Sequence, residues 1–211
     1  QAGLKTLESR YEKPREKRAD GIGWKYKFFD EGMGLLNLAF KAIETDDPYP
    51  VKAYISYRHD PLMAFPDPEA LKKTFSKLDL LVSVTFSWSE TAWNADVVLP
   101  LSPYLERESI IATKNGLKPY FFVRKRALEP KFENRADWEI LCGLARKMGL
   151  DKIVFDSIED IWNYQLEGTG VSLEDFEATG MVSFTDEPIY YQENKFSFKT
   201  KSGRIEIIAP E

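Results

Sequence analysis

A single cysteine, Cys142, and a single histidine, His59, set the sharpest limits on what this 211-residue sequence can do by itself. One cysteine excludes an intramolecular disulfide, a four-cysteine zinc site and an iron–sulfur cluster held by these residues alone. One histidine makes any Ser-His-Asp set depend on His59, and no nucleophile elbow accompanies it. Glycine is missing where nucleotide cradles need it. Gly21-Ile22-Gly23 does not follow a strand and lacks the third glycine of a dinucleotide fingerprint, and there is no Walker A motif. A nicotinamide site and an ATP cradle of the usual kinds are therefore disfavoured. No apolar run nears the roughly 20 residues that span a bilayer, and Gln1-Ala2-Gly3-Leu4-Lys5 does not read as a signal peptide. Positive charge is in deficit: 29 Lys and Arg against 34 Asp and Glu give a formal charge of −5. That balance argues against a nucleic-acid partner, because phosphate binding draws on a basic surface.

What the sequence does have is enough apolar content, 43%, to bury a core of ordinary domain size. Residues 1–30 carry eight Lys/Arg against five acids with little periodicity, and residues 1–50 read as a linker followed by an amphipathic helix. In that helix Met33, Leu36, Leu38, Phe40 and Ile43 recur at helical spacing, and Pro48 stops it. Residues 51–150 then alternate between strand and helix patterns. Val51–Tyr57 is a β-rich run, Asp67-Pro68 starts a helix bearing Leu71 and Phe75, and Leu80–Thr85 is almost continuously apolar, as in a strand covered on both faces. Asp96–Pro100 is the next strand, with room for only a stubby helix at Ser89–Trp93 before it. A longer helix is expected at Ala136–Met148, capped by Asn134 and stopped by Gly149. The fold class is thus α/β, a Rossmann-like, partly parallel sheet flanked by helices. Residues 151–195 read as an acidic, mainly helical excursion: from 153 to 194 there are ten acids and no Lys or Arg, with capping-box starts at Ser157 and Ser172. Residues 196–211 resemble a hairpin around Lys201-Ser202-Gly203.

Ligands of open parallel sheets bind where the strands end and the loops diverge, which nominates Arg58-His59-Asp60-Pro61 and Thr85–Thr91. Both loops are polar and aromatic, suited to a purine nucleotide; the plainer reading is two turns, with Asp60-Pro61 a turn initiator and Ser89 an N-cap. Cys142 reads as a packed small side chain. Trp88 and Trp93 read as core or domain-interface aromatics, with stacking on a ligand the alternative.

Here the motifs converge on a resemblance. Asp60-Pro61, Phe65-Pro66-Asp67, Glu90-Thr91-Ala92, Ala95-Asp96-Val97-Val98-Leu99-Pro100 and Leu105-Glu106-Arg107-Glu108 stand in order. Arg135–Ile140, Leu144–Gly149 and Thr200–Glu206 continue the series. Together they resemble the third domain, and the lead-in to the C-terminal domain, of the dimethyl sulfoxide reductase superfamily. Within it the text is most similar to the thiosulfate, polysulfide and tetrathionate reductase branch. The resemblance implies a bis(molybdopterin guanine dinucleotide) cofactor with molybdenum or tungsten, and an iron–sulfur cluster elsewhere in a longer chain. It also implies an iron–sulfur electron-transfer subunit and a membrane anchor as partners, beside the remaining domains of the same subunit. A location in the periplasm or at the outer face of the cytoplasmic membrane follows from the same resemblance.

Carried over by position, Asp60 stands where the family has a cofactor-touching Asn. Val84-Thr85 stands where the family has Ser-Asp, so the guanine-holding acid is replaced by a hydroxyl. Arg107 matches a basic residue that meets phosphate or guanine oxygen, and Asp137 matches an acid at the helix start, which would also complement the helix N-terminus. His59 is a further candidate beside pterin or substrate. Metal ligand and cluster cysteines are expected upstream, so these residues alone are not expected to catalyse. The alternative reading is a stand-alone α/β nucleotide-binding or protein-interaction module without redox activity.

Overall fold

A computed structural model describes residues 3–7, 17–27, 34–190, 198, 200, 202–205 and 207. The chain divides into two compact units: one holds the described residues of Arg10–Glu108 and Lys125–Val154, the other those of Gln1–Ser9, Ser109–Arg124 and Phe155–Glu211. Ser109–Arg124, expected as part of one domain spanning 51–150, therefore groups with Phe155 onward.

The first unit is built on three parallel strands, β1 (Ala53–Tyr57), β2 (Leu80–Thr85) and β3 (Val97–Pro100), in that spatial order. Tyr57 pairs with Val84, and Thr85 with Pro100, so the carboxyl ends of all three strands share one edge. Successive strand residues face opposite ways, which explains the almost continuously apolar run in β2. Leu81 packs with Phe40, Ile43, Leu62, Leu71 and Phe75 from helices α1 (Leu36–Thr45), α2 (Pro61–Ala64) and α3 (Pro68–Phe75). Val82 and Val84 belong instead to a cluster with Leu101, Leu99 and Ile140 of helix α5 (Asp137–Lys147). The α1 side is held by aromatic edge contacts: Phe40 meets Tyr54, Phe65 and Phe75 at centroid distances of 5.6, 5.1 and 5.4 Å.

The helix starts follow the local chemistry with one exception. Asp67 accepts from the Ala70 amide with Pro68 in the first turn, and Ser89 accepts from the Ala92 amide to open α4 (Glu90–Trp93). Helix α5 is not capped by Asn134. Its Nδ2 donates to Ser102 and Glu106, and Glu139 turns back to accept from the Ala136 amide. Tertiary partners thus take the side chain that local spacing would assign to the cap. A bridge between Leu101 and Arg135, and bonds from Ser102 N to Arg135 O and from Arg135 N to Pro100 O, run the chain along the end of β3 into α5. This brings the first turn of α5 to the carboxyl edge of the sheet.

The second unit is antiparallel, β4 (Ser109–Lys114), β5 (Tyr120–Arg124) and β6 (Met181–Ser183) in that order, with helix α6 (Ile158–Leu166) and a 3-10 turn Leu173–Phe176. The acidic segment therefore adds a strand to a sheet besides its helices. Trp162 Nε1 donates to Ser109 O at 2.8 Å, and Gln165 bonds both the N–H (2.9 Å) and the C=O (3.1 Å) of Ile111. The β4–β5 register shifts between Ser109 and Ala112, so Gln165 supplies the backbone partners that the irregular ladder omits there. The capping boxes at Ser157 and Ser172 form as expected. Most of the expected hairpin at 196–211 lies outside the described residues.

Candidate functional site: a cleft at the carboxyl edge of the parallel sheet

The loops after β1 and β2 enclose a cleft of about 480 Å³. Arg58, His59 and Asp60 line it from the first loop, Thr85 to Glu90 from the second, and Trp93 closes one side. Its position is the one expected for a ligand of a parallel sheet, because there the strands end and the backbone turns away.

Asp60 holds the two loops together. Its Oδ1 accepts from the Thr91 amide at 3.0 Å and the Thr91 hydroxyl at 2.5 Å, while Thr91 Oγ1 accepts from the Leu62 amide at 3.2 Å. Oδ2 takes no partner among the described residues, which leaves one carboxylate oxygen for a ligand. Thr85 lines the cleft, but its hydroxyl is engaged with its own loop, donating to Ser87 O at 2.9 Å and accepting from the Ser87 amide. The Val84 side chain, 3% exposed, lies in the core, and only its carbonyl faces the loop, accepting from the Arg58 amide at 3.0 Å. Strand alternation turns this side chain away from any ligand in the cleft.

Arg107 and Asp137 meet beside the cleft, not in its lining. Arg107, 1% exposed, donates from Nη1 to Asp137 Oδ2 at 3.0 Å, and the same oxygen accepts from the Tyr57 hydroxyl at 2.6 Å. Asp137 sits in the first turn of α5, so the ion pair is made at the helix N-terminus. Burial, and then the Asp137 carboxylate, push the Tyr57 hydroxyl above the ordinary tyrosine value, which keeps it a donor. Tyr104, from the 3-10 turn Tyr104–Glu106, joins this group to the cleft. Its ring lies 5.2 Å from the Arg107 guanidinium and 5.5 Å from that of Arg58, and its hydroxyl accepts from Arg58 Nη2 at 2.5 Å.

Four cleft residues carry more weight than the sequence suggested. Among the described residues Arg58 is the one Lys or Arg that lines the cleft, and it is fixed at a φ of +52°. Glu90, in the first turn of α4, adds a second carboxylate to the lining. Trp88 and Trp93 are not core residues: they are 66% and 72% exposed and stack on each other at 4.8 Å. The signal for all four was their place at or just after the strand-end loops, although the direction of each side chain depends on turns that the sequence does not spell out. His59 lines the cleft with its ring edge-on to Phe65 at 5.9 Å, and Cys142 is buried and free.

Among the described residues no group of three or more His, Cys, Asp or Glu could hold a metal, and no helix is long and apolar enough to cross a membrane. The cleft does offer what a nucleotide needs: an arginine, carboxylate oxygens, amides of a polar loop and exposed indole faces.

The fold is thus a parallel α/β domain with a polar, aromatic cleft at its strand ends. The chain belongs to the molybdopterin oxidoreductase family, which matches residues 25–147. It is 29% identical to the thiosulfate reductase molybdopterin-containing subunit of Salmonella typhimurium, over 92% of this chain and 29% of that one. It is 28% identical to the acetylene hydratase of Syntrophotalea acetylenica, over 94% of this chain and 27% of the relative. The structure of acetylene hydratase from Pelobacter acetylenicus superposes with a TM-score of 0.64 at 25% identity, covering 82% of this chain and 24% of that one. The chain thus spans less than a third of the length of these relatives, which are enzymes.

Proposed function

We propose that this chain forms one wall of the dinucleotide end of a bis(molybdopterin guanine dinucleotide) site, in an oxidoreductase acting on a sulfur oxyanion or polysulfide-type substrate by two-electron reduction. The observation that carries the reading is the cleft itself. It lies within the residues that match the family, at the carboxyl ends of β1 and β2, and its lining suits a purine nucleotide. Asp60 Oδ2 and Glu90 are the acceptors for amine and ring N–H donors of a base, and Trp88 and Trp93 offer stacking faces. Arg58 supplies the positive charge that a phosphate requires. Arg107 and Asp137 act from outside the lining.

When bound, the metal and its dithiolenes supply the redox chemistry. The residues of this chain bind and orient the distal end of the cofactor, and none of them is assigned a step in the reaction. The sulfur substrate is supported by the likeness to the thiosulfate reductase subunit along 92% of this chain. An iron–sulfur partner subunit, a membrane anchor and a location in the periplasm or at the outer face of the cytoplasmic membrane are further parts of the proposal and rest on the resemblance of the motifs alone. The choice of molybdenum or tungsten would be made by residues outside this cleft.

Titration of the chain with GDP and ADP tests the reading. GDP should bind more tightly than ADP, and Asp60→Ala should weaken GDP by about tenfold. Preference for ADP would contradict the guanine assignment.

A further inference from the structure

Arg58 stands out on backbone grounds. Among the described residues only Asp46, Arg58 and Asp67 adopt a positive φ without being glycine. Aspartate tolerates that region because its short polar side chain bonds locally, whereas arginine gains nothing of the kind. The conformation is held from outside. The Arg58 amide bonds to Val84 O, which fixes the turn at the end of β1 against β2. The guanidinium lies 5.8 Å from the Tyr57 ring and 5.5 Å from the Tyr104 ring, and Tyr104 accepts from Nη2. Each tyrosine is tied in turn to the buried pair, Tyr57 through its bond to Asp137 and Tyr104 through its ring against Arg107.

The electrostatics of this group are unbalanced. Arg107 is paired with Asp137, Arg58 forms no ion pair among the described residues, and the buried Nε of Arg107 has no hydrogen-bond partner among them. A positive site of this kind is completed by an anion. Asp60 and Glu90 line the cleft together with Arg58, so the lining offers acids for the amine donors of a base and one guanidinium for a phosphate.

We infer that Arg58 is the phosphate-reading residue of the cleft, a contact for the diphosphate of the bound nucleotide, and that Tyr57, Tyr104, Asp137 and Arg107 are positioning residues that hold its guanidinium there. This inference rests on the nucleotide reading of the cleft. It gives Arg107 an indirect role: buried behind Tyr104, it sets the position of the arginine that meets the ligand. The planar fork of Arg58 keeps donors for a phosphate beyond those shared with the tyrosine hydroxyls.

The test compares guanosine with GDP on the 211-residue chain by calorimetry, because the two differ only in the phosphates. The wild-type chain should bind GDP at least about tenfold more tightly than guanosine, and the difference should shrink as salt is raised. Arg58→Ala should bring the ratio close to one while guanosine affinity holds. Arg58→Lys should restore the salt dependence and only part of the ratio, since an ammonium cannot form the fork. Tyr57→Phe and Tyr104→Phe keep the rings and remove the hydroxyls; each should lower the GDP-to-guanosine ratio several-fold with an unchanged melting temperature and unchanged guanosine affinity. Arg107→Lys should do the same where it folds. Equal binding of guanosine and GDP by the wild-type chain, or a full ratio in Arg58→Ala, would overturn the phosphate assignment and leave the cleft reading intact. A full ratio in both tyrosine variants would overturn the positioning role. Binding of neither compound would overturn the cleft reading and this inference together.

Discussion

At the scale of single residues, burial and partner supply separate the groups that shape the site from those that face a ligand. Thr91 is fully buried and serves Asp60 and Leu62 at once, so it ties the start of α2 to the start of α4. Thr91→Val preserves shape but strips the Leu62 amide of its acceptor and removes one of the two bonds to Asp60. It should cost about 1–3 kcal/mol, read as a lower melting temperature, with Thr91→Ser close to wild type. Asp20 gives a pH-dependent counterpart. Burial by itself would raise its carboxyl, but bonds from Arg18 and from the Ile22 and Leu35 amides outweigh it and hold the group below the ordinary carboxylate value. A folded-state value below the unfolded one means that the unfolded chain binds the proton more readily. The stabilisation is therefore fully present above about pH 4 and is lost as pH falls through the folded value. Denaturant titrations on the acid side should show this slope in the wild type and a shallower one in Asp20→Asn.

At the scale of elements, most of the first unit was legible in the sequence and most of the second was not. Helix α3 and strand β2 carry their own signals, Asp67-Pro68 at the start of one and an almost continuously apolar run in the other. The run is explained by Leu81 and Val82 facing two different clusters. Strands β4, β5 and β6 went unread. Ile110-Ile111 and Tyr120–Val123 are short, and β6, which pairs with the second of them, lies about sixty residues further on, in a stretch whose acidity suggested a solvated excursion. In the site, the strand-end loops were legible because parallel topology dictates where they gather. The role of Arg58 was not, because its φ is imposed by the packed turn. Nor was the burial of Arg107, which needs Asp137, thirty residues away, beside it. Register and alternation likewise place Val84 in the core while its neighbour Thr85 reaches the cleft. The irregular ladder of the second unit yields its own prediction. Gln165→Ala would leave the N–H and C=O of the buried Ile111 without their side-chain partners, destabilising that unit by roughly 1–3 kcal/mol, with faster amide exchange at Ile111 than in the wild type.

At the scale of the molecule, the chain leaves the parallel unit after Glu108, builds the β4–β5 hairpin, returns at Lys125 for α5, and leaves again after Val154. The family match covers residues 25–147, and the cleft lies within the parallel unit. The central claim is that the nucleotide end of the cofactor is received by the two strand-end loops of this unit. The most direct measurement is backbone amide chemical-shift mapping as GDP is added. The account predicts the largest changes at Arg58–Asp60 and Thr85–Glu90, with Ser109–Lys114 and Tyr120–Arg124 undisturbed; the strongest changes in the antiparallel strands, or saturation without change in either loop, would contradict it.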